Sequence, residues 1–175
     1  FFTTSEGEIF QTLNKGLDWT EKFTHTLGIN GIDFKNTSIG IAVGDNGNIY
    51  KTLNGGNNWS NLGSQSIYRL NDITFINDSL VLAVGPAGSY LFSTDAGDNW
   101  IQKNTNSDET FFAIEKRNNS KASIVGTKGS YCEFDESNLS IGEILKIDIA
   151  GDWLKDIHII QKEDGSSKGI IVGFN

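Results

Sequence analysis

Methionine is absent from the 175-residue sequence, and cysteine and proline occur once each. The single cysteine, Cys132, excludes an internal disulfide and any metal site built from several cysteines. Histidine is limited to His25 and His158, so a zinc site with several histidines is not expected. Because translated chains start with methionine, we expect a processed or excised piece of a longer protein. With one proline, the turns must be made by glycine and asparagine.

Positive charge and long apolar runs are also scarce. Fourteen Lys and Arg face 22 Asp and Glu, giving a net charge of −8, which disfavours binding to nucleic-acid phosphates and to anionic membranes. No uncharged apolar run approaches the ~18 residues of a membrane-spanning helix. The composition predicts a globular domain with a real core, without a nucleic-acid partner and without a membrane span.

A period of 40 or 41 residues runs through the sequence. Three markers keep this spacing: a turn glycine, a Val-Gly pair and a tryptophan, as in Gly47, Gly88 and Gly129; Val43-Gly44, Val84-Gly85 and Val125-Gly126; Trp19, Trp59 and Trp100. Within each period the apolar residues alternate, which indicates short strands. Four strands per repeat of this length are typical of a β-propeller blade. We predict an all-β propeller domain with antiparallel blades at about 24–64, 65–104 and 105–147, and partial blades at 1–23 and 152–175.

The turn before each tryptophan follows the pattern Ser/Thr-x-Asp/Asn-x-Gly-x-x-Trp. Its members are Thr12, Asn14, Gly16 and Trp19; Thr52, Asn54, Gly56 and Trp59; Ser93, Asp95, Gly97 and Trp100. We expect the Asp or Asn to accept backbone N–H groups, the glycine to be left-handed, and the tryptophan to be largely buried. The fourth copy, Phe134 to Ile141, has lost the pattern. Its blade is expected to keep its strands and to change its turn.

This turn resembles the Asp-box, or BNR repeat, of sialidase-like and sortilin-like propellers. The whole unit is similar to the photosystem II stability/assembly factor-like repeat family. The resemblance implies an extracytoplasmic bacterial protein. The repeats themselves allow either a closed four-bladed ring or part of a larger propeller; we expect the larger one, without a cofactor and with open blade edges that can self-associate. A role in photosystem assembly is not carried over, because that role implies an Arg-rich surface and this acidic chain has only Arg69 and Arg117.

An enzymatic role is weighed against a structural one. Sialidases hold the substrate carboxylate with three arginines, and this chain has two in total. Other glycosidases need two carboxylates across a cleft, for which the candidates are Asp33, Asp72, Glu115 and Asp156. Asp72 and Asp156 occupy matching repeat positions, so we interpret both as residues of one structural turn. We predict no catalytic residue and no metal ligand.

The predicted binding residues lie in and beside the loops that lead into the innermost strands. They are Tyr68, Arg69, Asp72, Asp152, Trp153 and Asp156. Exposed Tyr, Arg and Trp are typical of binding hot spots, although Tyr68 and Trp153 could instead plug the space between blades. The hypothesis is a non-catalytic recognition or scaffold module for a protein or glycan. The alternative is a piece of a carbohydrate-active propeller enzyme whose catalytic residues are not identifiable here.

Overall fold

The structure is a computed structural model that describes residues 1–147, 153–161 and 167–174. These ranges contain strands β1 to β18 and one 3₁₀ turn at Asp45–Gly47, and no α-helix. The strands are β1 Phe2–Thr3, β2 Glu8–Gln11, β3 Thr20–Thr24, β4 Ile29–Phe34, β5 Gly40–Gly44, β6 Asn48–Thr52, β7 Ser60–Ser64, β8 Asp72–Phe75, β9 Val81–Val84, β10 Ser89–Ser93, β11 Ile101–Asn104, β12 Phe111–Asn118, β13 Lys121–Gly126, β14 Ser130–Asp135, β15 Ser140–Ile141, β16 Leu145–Lys146, β17 Trp153–Gln161 and β18 Ser167–Phe174. Among the described residues, no helix has the length and apolar character needed to cross a membrane.

The strands form five antiparallel sheets, which we number 1 to 5 along the chain. Sheets 2 and 3 are four-stranded meanders, β4 to β7 and β8 to β11. Sheet 4 comprises β12 to β16, with both β15 and β16 paired to β14. Sheet 1 contains β1 to β3, and sheet 5 contains β17 and β18. The first strands of sheets 2 to 5 follow one another side by side, β4 against β8, β8 against β12 and β12 against β17. This arrangement confirms the predicted all-β propeller fold.

Hydrophobic side chains fill the spaces between successive sheets. In β5 every residue is buried, because Ile41 and Val43 pack towards sheet 3 while Ala42 packs towards sheet 1. The same holds for β9, where Leu82 and Val84 face sheet 4 and Val81 and Ala83 face sheet 2. A strand covered on both faces is apolar throughout, which explains the short continuous apolar runs before each Val-Gly pair.

The three predicted turns have the expected hydrogen bonds. Asn14, Asn54 and Asp95 accept the backbone N–H groups of Asp18, Asn58 and Asn99, each at 2.9 Å. Gly16, Gly56 and Gly97 have φ between 82° and 88°, which favours glycine. Hydrogen bonds from the Asn99 side chain and backbone lower the pKa of Asp95 below its usual range.

The predicted burial of the tryptophans is wrong for Trp19. Trp19 is 42% exposed and packs edge-on against Phe2 of its own sheet. Trp59 and Trp100 are partly buried. Trp100 packs on the cluster between sheets 2 and 3, which offers it apolar neighbours from a second sheet.

Removing the hydroxyl of Ser93 is expected to destabilise the turn of sheet 3. Ser93 is 1% exposed, and its Oγ accepts the backbone N–H of Gly97 at 2.8 Å. Ser93→Ala leaves this buried donor without its acceptor, at a cost of about 1–3 kcal/mol. We expect the Tm to fall by roughly 2–4 °C per kcal/mol, whereas substitution of the exposed neighbour Thr94 by alanine leaves it within error. Equal melting curves for the two variants would contradict this role of Ser93.

Sheet 4 keeps its strands although its turn differs from the pattern. The chain reverses through residues 136–139, where the N–H of Leu139 bonds to the carbonyl of Glu136 and Leu139 is left-handed. The apolar residues alternate from Ile141 to Ile149, a pattern that predicts one strand; the described part of this segment, up to residue 147, instead contains two short strands, β15 and β16. Two short strands are present because Gly142 donates its N–H to Glu133, and Ile144 turns towards the core.

Candidate binding face

The predicted loop residues Tyr68, Arg69 and Trp153 lie at one end of the sheets. The loop before β8 bonds to the turn between β5 and β6, through the N–H of Gln65 and the carbonyl of Gly47. Trp153 forms an antiparallel bridge with Thr127, beside the turn between β13 and β14. The loops that lead into the inner strands therefore share an end with the turns between second and third strands, as propeller topology requires. We call this end the loop face.

A cluster of two aromatic rings and two cations stands on the loop face. The Trp153 and Phe112 rings stack with their centroids 5.5 Å apart, and Trp153 is 43% exposed. The Lys155 ammonium lies 3.2 Å from the Phe112 centroid and 4.5 Å from that of Trp153. Burial and then the positive charge of Arg69 lower the pKa of Lys155. A stacked pair capped by an ammonium is a preorganised surface, and we call Phe112, Trp153, Lys155 and Arg69 the aromatic–cation cluster.

The repeat shows that Phe112 has replaced a structural residue. Asn30 and Asn71 hold the equivalent positions in sheets 2 and 3. The Asn30 amide donates to the carbonyl of Leu70 at 2.9 Å, and the Asn71 amide donates to the carbonyl of Phe111 at 2.6 Å. Each asparagine thus ties its inner strand to the next one. Phe112 has no amide and stacks its ring on Trp153. At this position sheet 4 therefore has an aromatic contact in place of the side-chain hydrogen bond.

The predicted binding residues Asp72 and Asp156 do not join this cluster. Both lie in strands, and each accepts the N–H of the following residue, Ile73 or Ile157, at 2.8 Å. The interpretation of both as residues of one turn is wrong, because both lie on inner strands. Their carboxylates bond to the backbone of those strands. The remaining predicted residue, Asp152, lies outside the described residues.

Asp33 and Asp72 bond to the neighbouring sheet. Asp33 Oδ2 accepts the N–H of Phe75 at 2.7 Å, and Asp72 Oδ2 accepts the N–H of Ile114 at 2.9 Å. Each carboxylate therefore bonds its own strand through Oδ1 and the next inner strand through Oδ2. These two contacts hold β4 against β8 and β8 against β12.

The inner strands line a polar cavity of about 720 Å³ that is open to solvent and whose wall includes five carboxyl groups. They are Asp33, Asp72, Asp78, Glu115 and Asp156. Burial raises the pKa of Asp33 and of Glu115, and it raises the pKa of Asp72 to about 7 against the hydrogen bonds from Ile114 and Ile73. Among the described residues, no group of three or more His, Cys, Asp or Glu is placed to hold a metal ion.

A carboxyl group with a raised pKa in a cavity is what a general acid requires. In Asp72, however, both oxygens are already engaged by the backbone. Glu115 lies 3.5 Å from Nδ1 of His158, so it has a partner on β17. Cys132 is buried, and burial raises the pKa of its thiol to about 12. The Asp72 and Glu115 carboxyl groups therefore bond within the fold, which favours a structural use of the cavity wall.

Sequence reasoning missed Phe112. The available signal was the break in the repeat, since Phe112 and Lys155 stand where the earlier blades have Asn30 and Asn71. It also missed Glu109, which is 5% exposed and bonds to Lys146 at 2.6 Å and to Thr127 at 2.6 Å. Those bonds secure the loop before β12 on the loop face.

Comparison with solved structures shows the β-propeller fold. A structure described as YCF48 bound to D1 peptide matches with a TM-score of 0.68 and 15% identity, covering 89% of this chain and 51% of that chain. YCF48 from Cyanidioschyzon merolae matches with a TM-score of 0.70 and 16% identity, over 98% and 62%. The WD40 propeller domain of Doa1 matches with a TM-score of 0.66 and 7% identity, over 84% and 49%. The chain thus spans about half to three-fifths of these structures.

No protein-family model matches the sequence, and no curated protein matches it. At identities of 16% or less, the likeness to these solved structures supports the fold alone. The binding partner has to be inferred from the chemistry of the loop face.

Proposed function

We propose that this chain belongs to a non-catalytic propeller scaffold that binds a protein segment on its loop face. The aromatic–cation cluster carries the proposal, because it places an exposed tryptophan beside a stacked phenylalanine and two cations. Phe112 and Lys155 stand where the earlier blades have the structural residues Asn30 and Asn71. Trp and Arg dominate the energetics of protein interfaces. A rigid sheet stack holds them in place, so little ordering entropy is lost on binding.

Two further observations support a protein partner. Ile67 is 85% exposed in the loop that also carries Tyr68 and Arg69, so the face offers apolar area beside the cluster. The structure of YCF48, which shares the fold, was obtained with a D1 peptide. Glycan binding is the competing outcome, since a stacked aromatic also suits a sugar ring.

The joint substitution Arg69→Ala and Trp153→Ala is expected to abolish this recognition. The probe is a phage-displayed library of random linear peptides, panned on the wild-type chain, with the selected peptides measured by calorimetry. Loss of two hot-spot side chains should weaken binding by at least about 30-fold. The melting temperature should change little, because Arg69 is exposed and Trp153 is partly exposed.

The matched control is the double variant Lys15→Ala and Leu53→Ala. Both residues are exposed, on turns at the end opposite the loop face, and they again remove one cation and one apolar side chain. It should bind the selected peptides like the wild type. Equal affinity for the Arg69 and Trp153 variant would refute the proposal, as would turnover of nitrophenyl glycosides by the purified chain. Binding confined to a glycan array would replace the protein partner by a glycan.

A further inference from the structure

Glu109 is a buried carboxylate on the loop face that connects three sheets. It is 5% exposed, and its backbone carbonyl accepts the N–H of Gly88 at 2.7 Å, in the turn between β9 and β10. Its Oε2 accepts the hydroxyl of Thr127 at 2.6 Å, and its Oε1 accepts the ammonium of Lys146 at 2.6 Å. Thr127 in turn forms the antiparallel bridge with Trp153. One residue therefore connects sheets 3 and 4 with the strand that carries the exposed tryptophan.

The hydroxyl of Thr127 is the central link in this connection. While it donates to Glu109, its oxygen accepts the backbone N–H of Thr110 at 2.9 Å. A hydroxyl has one hydrogen, so donation to the carboxylate leaves its lone pairs for the Thr110 N–H. Thr110 lies two residues before Phe112, and the Phe112 ring stacks on Trp153. Fixing this hydroxyl therefore places both rings of the stacked pair, one through β12 and the other through the bridge.

The Glu109 carboxylate is held in its ionised form. Burial acts to raise its pKa, but the hydrogen bonds from Lys146 and Thr127 and the charges of Lys146 and Lys128 outweigh burial and lower it. The Lys128 ammonium lies 3.6 Å from Oε1. Hydrogen bonds to an ionised acceptor are shorter and stronger than those between neutral groups. The carboxylate is therefore a firm anchor for the Thr127 hydroxyl.

Sheet 4 departs from the repeat at this contact. In sheets 2 and 3 a polar side chain of the fourth strand donates to a carbonyl of the turn between the second and third strands; the pairs are Ser64 with Asn46 at 2.6 Å and Asn104 with Ala87 at 2.5 Å. Lys146 holds the equivalent position, because all three side chains belong to residues that pair with the residue after the turn glycine. Lys146 bonds to Glu109 instead. This change occurs in the same blade in which Phe112 replaces an asparagine.

We propose that Glu109 is a positioning residue of the binding face, which holds Trp153 stacked on Phe112 through the hydroxyl of Thr127. Glu109 is buried, so it acts on the partner only through the rings that it places. A ring that is already held in position loses less freedom when a partner binds. The effect on peptide binding rests on the proposed function, whereas the placement of the ring can be measured without a peptide.

The first test follows Trp153 in the free protein by fluorine NMR after labelling with 5-fluorotryptophan. The chain contains four tryptophans, and Trp153→Phe identifies the signal of Trp153. In Glu109→Ala and in Thr127→Val we expect this signal to move towards the shift of free fluorotryptophan, while the other three signals stay in place. Thr127→Val keeps the side-chain shape and the Glu109 to Lys146 pair, so it decides the question even if Glu109→Ala does not fold. An unchanged Trp153 signal in Thr127→Val would overturn the proposal.

Two further variants separate positioning from general stability. Glu109→Gln keeps an oxygen that can accept the Thr127 hydroxyl, so it should retain the wild-type Trp153 signal. A shift as large as that of Glu109→Ala would mean that the charge matters and not the Thr127 link, and would contradict the proposal. Asp135→Ala is the matched control, because it removes the carboxylate of another ion pair of sheet 4, with Lys121 at 3.1 Å, at the end opposite the loop face. It should leave the Trp153 signal in place.

The second test measures the affinity of the peptides selected on the wild-type chain. Glu109→Ala should weaken their binding by about tenfold, because the tryptophan must then be ordered when the peptide binds. Asp135→Ala should bind them like the wild type. Equal affinity of the wild type and Glu109→Ala would refute the positioning role and leave the proposed function standing. A displaced Trp153 signal together with a wild type that selects no peptide would confirm the placement of the ring and refute the proposed function.

Discussion

Alanine in place of Gly44 is expected to lower the free energy of unfolding by about 3 kcal/mol or more. A Cβ at this position would lie 2.0 Å from the carbonyl oxygen of Gly28. That oxygen accepts the backbone N–H of Asp45 at 2.9 Å, so it cannot withdraw without breaking a hydrogen bond. Overpacking of a well-packed site usually costs about 1–3 kcal/mol. The cost should reach or exceed the top of that range here, because the Cβ is fixed directly to the backbone and meets a backbone carbonyl, so no flexible side chain can move aside.

The repeat provides a graded series for this prediction. At Gly126 a Cβ would lie 2.1 Å from the Thr110 carbonyl, which accepts the N–H of Thr127, so Gly126→Ala should cost about as much. At Gly85 the corresponding distance, to the Arg69 carbonyl, is 2.5 Å. The next residue there is proline, which has no N–H to hold that carbonyl, so we expect a smaller loss.

Gly169→Ala is the control for the series. The nearest atoms to a Cβ at Gly169 lie 3.7 and 3.8 Å away, at ordinary contact distance. Its unfolding midpoint in guanidinium chloride should equal that of the wild type or exceed it slightly, because alanine has less conformational freedom in the unfolded chain. Equal midpoints for Gly44→Ala and Gly169→Ala would show that the close approach at Gly28 is not restrictive.

The period of the sequence was sufficient to predict the fold. Glycine after valine and glycine before the third strand recur at 40 or 41 residues, and the alternation between them predicts strands of the right length. The physical reason for the Val-Gly pair could not be predicted. Gly44 has a φ of −165°, an extended value open to any residue, so its requirement comes from an approaching carbonyl and not from the backbone dihedral.

Contacts between sheets explain what the sequence could not predict. Alignment of the repeats identifies equivalent positions, but it does not say which atoms meet across neighbouring sheets. Asp33 reaches Phe75 and Asp72 reaches Ile114, and both links span 42 residues while the repeat spans 40 or 41. The offset between neighbouring inner strands therefore determines which backbone N–H group each carboxylate meets. This offset arises from the packing of the sheets, which the sequence repeat does not specify. The stacking of Trp153 on Phe112 likewise depends on how sheets 4 and 5 meet.

The second large effect is expected at Phe134. This residue occupies the repeat position of Thr52 and Ser93, whose hydroxyls accept the N–H of the turn glycine at 2.9 and 2.8 Å. In sheet 4 the position has changed from a turn residue to a core residue. Phe134 is 0% exposed, and its ring centroid lies 6.3 Å from those of Tyr90 and Phe92 in sheet 3.

Phe134→Ala should therefore lower the free energy of unfolding by about 3–5 kcal/mol, because it removes a fully buried ring and leaves a cavity between two sheets. Phe134→Ser should cost at least as much, since it adds a buried hydroxyl while the glycine and tryptophan of the turn pattern are missing from 134–141. Leu145→Ala, at a site 51% exposed in the same sheet, is the control and should change the midpoint little. The measurement is equilibrium unfolding in guanidinium chloride. A loss below about 1 kcal/mol for Phe134→Ala would mean that sheets 3 and 4 are not held together by this ring.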